Sequence, residues 1–293
     1  MQQEQTKSIF VAIVGRPNVG KSSLLNRMVG EKVAIVTAKP QTTRTRITGI
    51  LTLGAVQYVF LDTPGIHRPR TRLGERMAKA TADSVAEVDA VVMLFEPYGE
   101  LTEAEQALVE DIRVKKVPAL AAVNKTDTLK KETDLAVRMQ FLEELGVFRG
   151  VLPLCVSEDR GCTELLDALL PFAVESPHYF PDDAYTDMPE KALVAEVLRE
   201  KMLLNLRDEI PHGTAVTVER FKERGDKDII DIDVNIYCEK KSHKGMIIGK
   251  GGQMLKKIAS EARVECEEFL GARVNLQCWG DNDFLLNNFG FQK

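Results

Sequence analysis

Eight consecutive residues near the start of the chain, Gly15-Arg16-Pro17-Asn18-Val19-Gly20-Lys21-Ser22, carry the residue types that a polyphosphate requires. Gly15 and Gly20 let the backbone turn tightly and approach an anion with no Cβ in the way. The N–H groups of such a loop, backed by the positive end of a helix, face negative charge. Lys21 is long enough to reach β and γ phosphates, and the Ser22 hydroxyl can ligate Mg²⁺. These groups act only if neighbouring elements hold them. The apolar run 9–14 reads as a buried strand leading into the loop, and Leu24-Leu25 open a helix behind it. A GxxxxGKS match in that strand–loop–helix context reads as a phosphate-binding loop.

Two further clusters fall where strands should end. Residues 47–53 and 56–61 read as a hairpin turning at Gly54, and the second strand runs into Asp62-Thr63-Pro64-Gly65. Asp62 at a strand end suits the water shell of Mg²⁺, and the Gly65 N–H suits a γ phosphate. Further on, the strand 118–123 ends in Asn124-Lys125-Thr126-Asp127. An Asp carboxylate can accept from both N1–H and the 2-amino group of guanine, a pair of donors that adenine lacks. A buried site built on such paired bonds rejects the wrong base strongly. The stem of Lys125 can cover the ring face, and Asn124 can brace the loop. GTP and GDP are therefore the expected ligands.

The 293 residues favour two domains, and 44% hydrophobic content with a net charge of −5 describes a soluble chain with real cores. Cys155, Cys162, Cys238, Cys266 and Cys278 have no metal spacing and read as reduced thiols of a cytoplasmic protein. His67, His178, His212 and His243 have no ligand spacing. The polar N-terminus and the lack of a long apolar run point away from a secretion signal or a membrane span.

Strands and helices alternate through residue 174. Besides the strands above, 89–95 and 150–156 read as strands and 71–88, 101–114, 132–145 and 163–174 as helices. Thr102 and Glu105 form a capping box. The fold class expected is α/β, a mostly parallel sheet with its ligand at the strands' carboxyl ends. Residues 175–190, with three prolines and clustered acids, read as a linker. The order then changes: a helix over 191–210, strands over 213–221 and 229–237, a Gly249-Lys250-Gly251-Gly252 loop between helical segments, a helix over 253–269 and a strand over 272–279. The expected domains are thus 1–174 and 191–293. The second carries 17 Lys and Arg against 17 Asp and Glu, yet residues 240–263 hold seven basic residues and one acid, 7 − 1 = +6. Charge focused around a glycine loop is the footprint expected of a nucleic-acid contact.

In this order the motifs GRPNVGKS, QTTRTR, DTPG and NKTD resemble P-loop GTPases of the Era and TrmE type. That resemblance implies a GTPase in which Thr43 closes over Mg²⁺ and the γ phosphate. Lys21, Thr43 and Gly65 would serve catalysis, and Ser22, Thr43 and Asp62 the metal. Residues 15–22, 62–65, 124–127 and 155–157 would form the GTP site. One motif departs from the pattern. Where such proteins usually show Ser-Ala, whose backbone N–H meets guanine O6, this chain reads Leu154-Cys155-Val156-Ser157. Position favours Cys155-Val156 as the counterpart, whereas residue type favours Ser157. Ile66, directly after DTPG, cannot position a water, so turnover should be slow without help. Some relatives use K⁺ held by the residue matching Asn18, which here could equally cap its own loop.

The helix order and GKGG loop of the second half resemble a type II KH domain, smaller and α+β, that binds single-stranded RNA. Ile248, Gly249, Lys250, Gly251, Gly252, Lys256 and Lys257 are its candidate RNA-binding residues. A P-loop GTPase followed by a KH domain resembles the Era family over about residues 8–280. The resemblance implies a cytoplasmic, monomeric GTPase that binds the 3′ end of 16S ribosomal RNA and acts in 30S assembly. Two alternatives stay open: a GTP-dependent RNA switch with incidental hydrolysis, and a regulatory GTPase peripheral to the inner membrane. Residues 275–283 are neutral to acidic, so auxiliary RNA or membrane contacts there should be weak.

Overall fold

A computed structural model describes residues 5–39, 42–65, 72–207, 210, 213–225, 228–238 and 240–281. It divides into two units, residues up to Asp187 and residues from Met188.

In the first unit, β1 (Lys7–Gly15) lies at the middle of the sheet, paired in parallel with β3 (Val56–Asp62) and β4 (Ala90–Phe95). Its residues Val11, Ala12, Ile13 and Val14 are all buried, the unbroken apolar pattern of a strand covered on both faces. Parallel β5 (Ala119–Val123) and β6 (Gly150–Pro153) extend the sheet beyond β4. On the other side, β2 (Ile47–Leu53) folds back antiparallel onto β3 through a turn at Gly54, whose φ is +58°. Among the described residues the order is β2-β3-β1-β4-β5-β6. The registers Ile13–Asp62 and Phe95–Val123 bring Gly15, Asp62, Phe95 and Asn124 to one edge.

Helices α1 (Lys21–Val29), α2 (Arg72–Ala86), α3 (Glu103–Lys115), α4 (Glu132–Glu144) and α5 (Cys162–Leu169) connect the strands. Phe95, Ile112 and Leu142 close one layer of core between sheet and helices. Full burial of such a side chain stabilises the fold by about 1.5–3 kcal/mol. At the start of α3 the capping box forms: Glu105 N–H donates to Thr102 Oγ1 at 3.2 Å, and Thr102 N–H to Glu105 Oε2 at 2.8 Å.

The first part of the stretch read as a linker is tied to this unit. Strand β7 (Val174–Glu175) pairs antiparallel with the start of β1. Gln57, fully buried on β3, accepts the N–H groups of Tyr179 and Phe180 at 2.8 and 3.0 Å and donates to the Phe180 carbonyl at 2.9 Å. Ile50 N–H donates to the Tyr185 carbonyl at 2.8 Å, and Thr186 Oγ1 to the Thr48 carbonyl at 2.7 Å. A proline-rich segment can be held this way because its backbone groups find partners on the sheet.

The second unit contains α6 (Glu190–Asn205), β8 (Thr214–Glu223), β9 (Ile229–Cys238), α7 (Lys241–Ile248), α8 (Gln253–Leu270) and β10 (Arg273–Asp281). Its sheet runs β10-β9-β8, with β8 antiparallel and β10 parallel to β9. Leu198 and Met202 of α6, Ile232, Val234 and Ile236 of β9, and Ile258 and Ala262 of α8 share one core. The helix expected to reach residue 210 ends at Asn205.

Candidate functional site

At the carboxyl edge of the first sheet lies a cleft of about 800 Å³. Pro17, Asn18, Gly20, Lys21, Ser22, Thr43, Gly65, Asn124, Lys125, Asp127, Val156 and Ser157 all line it, so the separate motifs meet at one place.

Lys21, only 5% exposed, is held by its own loop: Nζ donates to the carbonyls of Gly15 and Arg16 at 3.2 and 2.8 Å. Gly20, at φ +107°, stands against the Asn124 side chain, leaving no space for a Cβ. Ser22 Oγ donates to Asp62 Oδ2 at 2.6 Å and lies 2.9 Å from Thr43 Oγ1. The Thr43 hydroxyl also donates to Asp62 Oδ2, at 3.4 Å. Burial pushes the Lys21 ammonium down to about 8, against the pull of Asp62. Burial likewise pushes the Asp62 carboxyl up to about 6, against the favourable effects of Lys21, Ser22, Thr43 and Thr63. Each charge is short of counter-charge, which an anion supplies for Lys21 and a cation for Asp62. Asp62 Oδ1 is buried with no hydrogen-bond partner among the described residues. A spare carboxylate oxygen beside two hydroxyls is an all-oxygen donor set, and Mg²⁺ fits it.

Asn124 braces two loops. Its Nδ2 donates to the Val19 carbonyl at 2.8 Å, and its Oδ1 accepts the Val156 N–H at 3.2 Å. Lys125 adopts φ +62°, and its ammonium reaches Glu96 at 3.0 Å. Asp127 is exposed at the cleft, where the Cys155 thiol donates to its Oδ1 at 3.2 Å and Ser157 Oγ lies 3.3 Å from that thiol. Cys155 itself is fully buried. The two candidate matches at 155–157 thus stand side by side next to Asp127.

Several candidates lie behind the cleft or are held at its wall. The Thr63 hydroxyl donates to the Ile13 carbonyl at 2.9 Å, the Pro64 carbonyl accepts from Thr81, and Thr126 Oγ1 donates to the Leu154 carbonyl at 2.9 Å. Val19 is core. The Arg16 side chain turns to Glu96 and Glu105. Asn18 Nδ2 donates to the Ala38 carbonyl at 2.7 Å, tying the phosphate loop to the segment that leads towards Thr43. Gly65 packs on Pro17, where a Cβ would come within 2.7 Å of its Cα. Ile66 lies outside the described residues. Asn26 was not singled out from sequence, yet it accepts the N–H groups of Val33 and Ala34 at 3.1 and 2.8 Å and so shapes the cleft's far wall. Its helical position gave no signal.

In the second unit, Gly249, Gly251 and Gly252 have φ of +73°, +58° and +78°. A Cβ on Gly249 would lie 2.7 Å from Met254 Cβ, so this turn requires glycine on steric grounds as well. Lys250 and Lys256 are exposed beside it. Lys257 lies 3.7 Å from Glu261, and Arg263 pairs with Glu267 at 2.6 Å. The charge of Arg263 is therefore spent within α8, and the basic focus is narrower than the count over 240–263 implied.

Comparison with known proteins agrees with both halves. A family described as "50S ribosome-binding GTPase" matches residues 10–125, and the KH domain family matches 209–281. GTPase Era of Clostridioides difficile is 43% identical over 292 residues, covering 97% of this chain and 98% of the relative. GTPase Era of Caldicellulosiruptor saccharolyticus is 46% identical over 274 residues, covering 93% and 91%. Among solved structures, Era in complex with MgGDPNP and nucleotides 1506–1542 of 16S ribosomal RNA superposes with a TM-score of 0.90 at 31% identity, over 94% of each chain. An Aquifex aeolicus Era variant bound to GDP·AlF4⁻ gives 0.90 at 32% identity, again over 94% of each chain. With this identity over nearly its whole length, the chain belongs to the GTPase Era family and is a GTP-hydrolysing enzyme.

Proposed function

We propose that this enzyme uses GTP binding and hydrolysis to time its hold on the 3′ end of 16S ribosomal RNA during assembly of the small ribosomal subunit. The observation that carries this reading is the cleft. The buried Lys21, the oxygen cluster of Ser22, Thr43 and Asp62 and the exposed Asp127 carboxylate stand at one edge, which supports the reading in a chain that also carries a glycine-turned basic loop. In this reading Lys21 holds the β and γ phosphates, and Ser22, Thr43 and Asp62 hold Mg²⁺, which neutralises phosphate charge. Gly65 offers its N–H to the γ phosphate, and Asp127 pairs with guanine. Asn18 keeps its side-chain oxygen for K⁺, and turnover in K⁺ against Na⁺ tests that role.

RNA would pass over residues 248–252, with Lys256 and Lys257 at the phosphates. A short route supports coupling. Three residues separate Thr43 from β2, whose Thr48 carbonyl accepts from Thr186, and the first unit ends at Asp187. Among the described residues no helix is long and apolar enough to cross a membrane. A cytoplasmic monomer is the state proposed. Sequencing RNA cross-linked to the protein in the presence of a non-hydrolysable GTP analogue tests the function. Enrichment of the 16S 3′ end is expected, and its absence from the cross-links would overturn the reading.

A further inference from the structure

Glu96 follows β4 directly and bridges the two loops that build the cleft. Its Oε1 accepts from Lys125 Nζ at 3.0 Å, and its Oε2 accepts from Arg16 Nη2 at 3.4 Å. Behind Arg16, Nε lies 3.0 Å from Oε1 of Glu105, whose side chain is fully buried and whose other oxygen belongs to the capping box of α3. The main chain at Glu96 is fixed as well. Arg138 Nε donates to the Glu96 carbonyl at 3.2 Å and its Nη1 to the Gly99 carbonyl at 2.8 Å. The Arg138 guanidinium itself sits 5.7 and 5.5 Å from the ring centres of Phe95 and Phe141. One carboxylate on a rigid mount thus faces one cation from the phosphate loop and one from the base loop.

We propose that Glu96 is a positioning residue for the nucleotide: by anchoring Lys125 and Arg16 together it lengthens the residence of guanine nucleotides without choosing the base. The proposal rests on reading the cleft as a guanine-nucleotide site. A lysine stem has several rotatable bonds, and its use as a flat cover over a ring demands that its end be fixed. Glu96 supplies that end point. It does not line the cleft, so it meets neither phosphate nor base and cannot read the base edge, which Asp127 faces. Its side chain is 27% exposed, with Arg16 at 23% and Lys125 at 36%. Isolated pairs at that exposure contribute little. Two pairs sharing one carboxylate, backed by a fully buried Glu105, form a network in which the loss of one charge is felt at both loops.

Release of a fluorescent GDP analogue from the full-length chain, followed by stopped flow, tests the proposal. Glu96→Gln keeps shape and removes charge, and release should quicken about 3–10-fold, with the preference for GDP over XDP and the melting temperature unchanged. Lys125→Met, which keeps the stem and removes its anchor, should quicken release to a similar extent. With Lys125 and Arg16 both changed to Met, adding Glu96→Gln should alter release by less than about twofold, because its partners are gone. Wild-type release from a folded Glu96→Gln variant would overturn the proposal, as would an undiminished effect in the double-Met background. If the wild type does not bind GDP at all, the reading of the cleft fails, which is a separable result.

Discussion

The Asn124 amide donates to the Val19 carbonyl at 2.8 Å across 105 positions of sequence, so the loop 124–127 is fastened to the loop 15–22. The same side chain holds the Val156 N–H. The two ends of a nucleotide bound in the proposed site would therefore be gripped by loops joined through one side chain.

Asn124→Ala tests that connection. It leaves a buried carbonyl and a buried N–H without their partner, at a cost of about 1–3 kcal/mol each. Part of this should appear as GDP affinity weakened about 10–100-fold, and part as a melting temperature lower by several degrees. Calorimetric titration and a thermal melt measure both. Unchanged GDP affinity would mean that the base and phosphate loops act independently.

Asp127→Asn tests base choice. In the proposed site the exposed Asp127 carboxylate would accept from guanine, whereas an amide matches the C2 oxygen and N1–H of xanthine. Preference should move from GTP towards XTP. A variant that still prefers GTP in competition binding removes Asp127 from the base site.

Ser22→Ala and chelation of Mg²⁺ should act alike, because Ser22, Thr43 and Asp62 share one set of contacts. Each should slow hydrolysis by about two orders of magnitude or more, with the circular dichroism spectrum unchanged. Full phosphate release in the absence of Mg²⁺ would contradict the assignment.

Much of this arrangement was legible in sequence. The apolar runs that became β1, β4 and β5 are buried on both faces, and a parallel sheet needs that pattern. The glycine loops and the capping box are local, so residue type and spacing suffice to find them. The destination of Arg16 was not legible, because a long side chain beside several acids chooses among them only once the sheet is assembled. A role for Thr43 beside Ser22 and Asp62 was expected from resemblance alone, and the direct Ser22–Thr43 contact was not expected. Residues 175–190 lack periodicity and read as a linker, yet Gln57 holds Tyr179 and Phe180 of that stretch. The hint was a lone amide inside an otherwise apolar strand, a polar group that had to find a partner.

The contacts of His178 should make that strap sensitive to pH. Its Nδ1 lies 2.6 Å from Asp182 Oδ1 and its Nε2 3.2 Å from the Ala55 carbonyl. Two acceptors on one ring call for the doubly protonated form, and the Asp182 hydrogen bond raises its pKa above the ordinary 6.5. A raised folded-state pKa means that the stabilisation is complete below the ordinary value and is lost as pH rises through the raised one. After correction for intrinsic rates, amide exchange at Tyr179 and Phe180 should be faster at about pH 8 than at about pH 6. His178→Ala should abolish the difference. Equal exchange at the two pH values in the wild type would remove His178 from the strap's hold.

The claim at the centre of this account is that the γ phosphate changes the hold on RNA, and RNA affinity in the two nucleotide states tests it most directly. An RNA of the 16S 3′ end is titrated against the protein with GDP and with a GTP analogue, for wild type, Thr43→Ala and Gly252→Asp. A coupling of ~1–3 kcal/mol gives ~5–150-fold tighter binding in the GTP state. Thr43→Ala should remove most of that difference while sparing GDP binding. Gly252→Asp should weaken RNA in both states by placing a negative side chain where φ is +78°. Equal wild-type affinities in the two states would contradict the account and leave a GTPase and an RNA-binding module on one chain with no coupling between them.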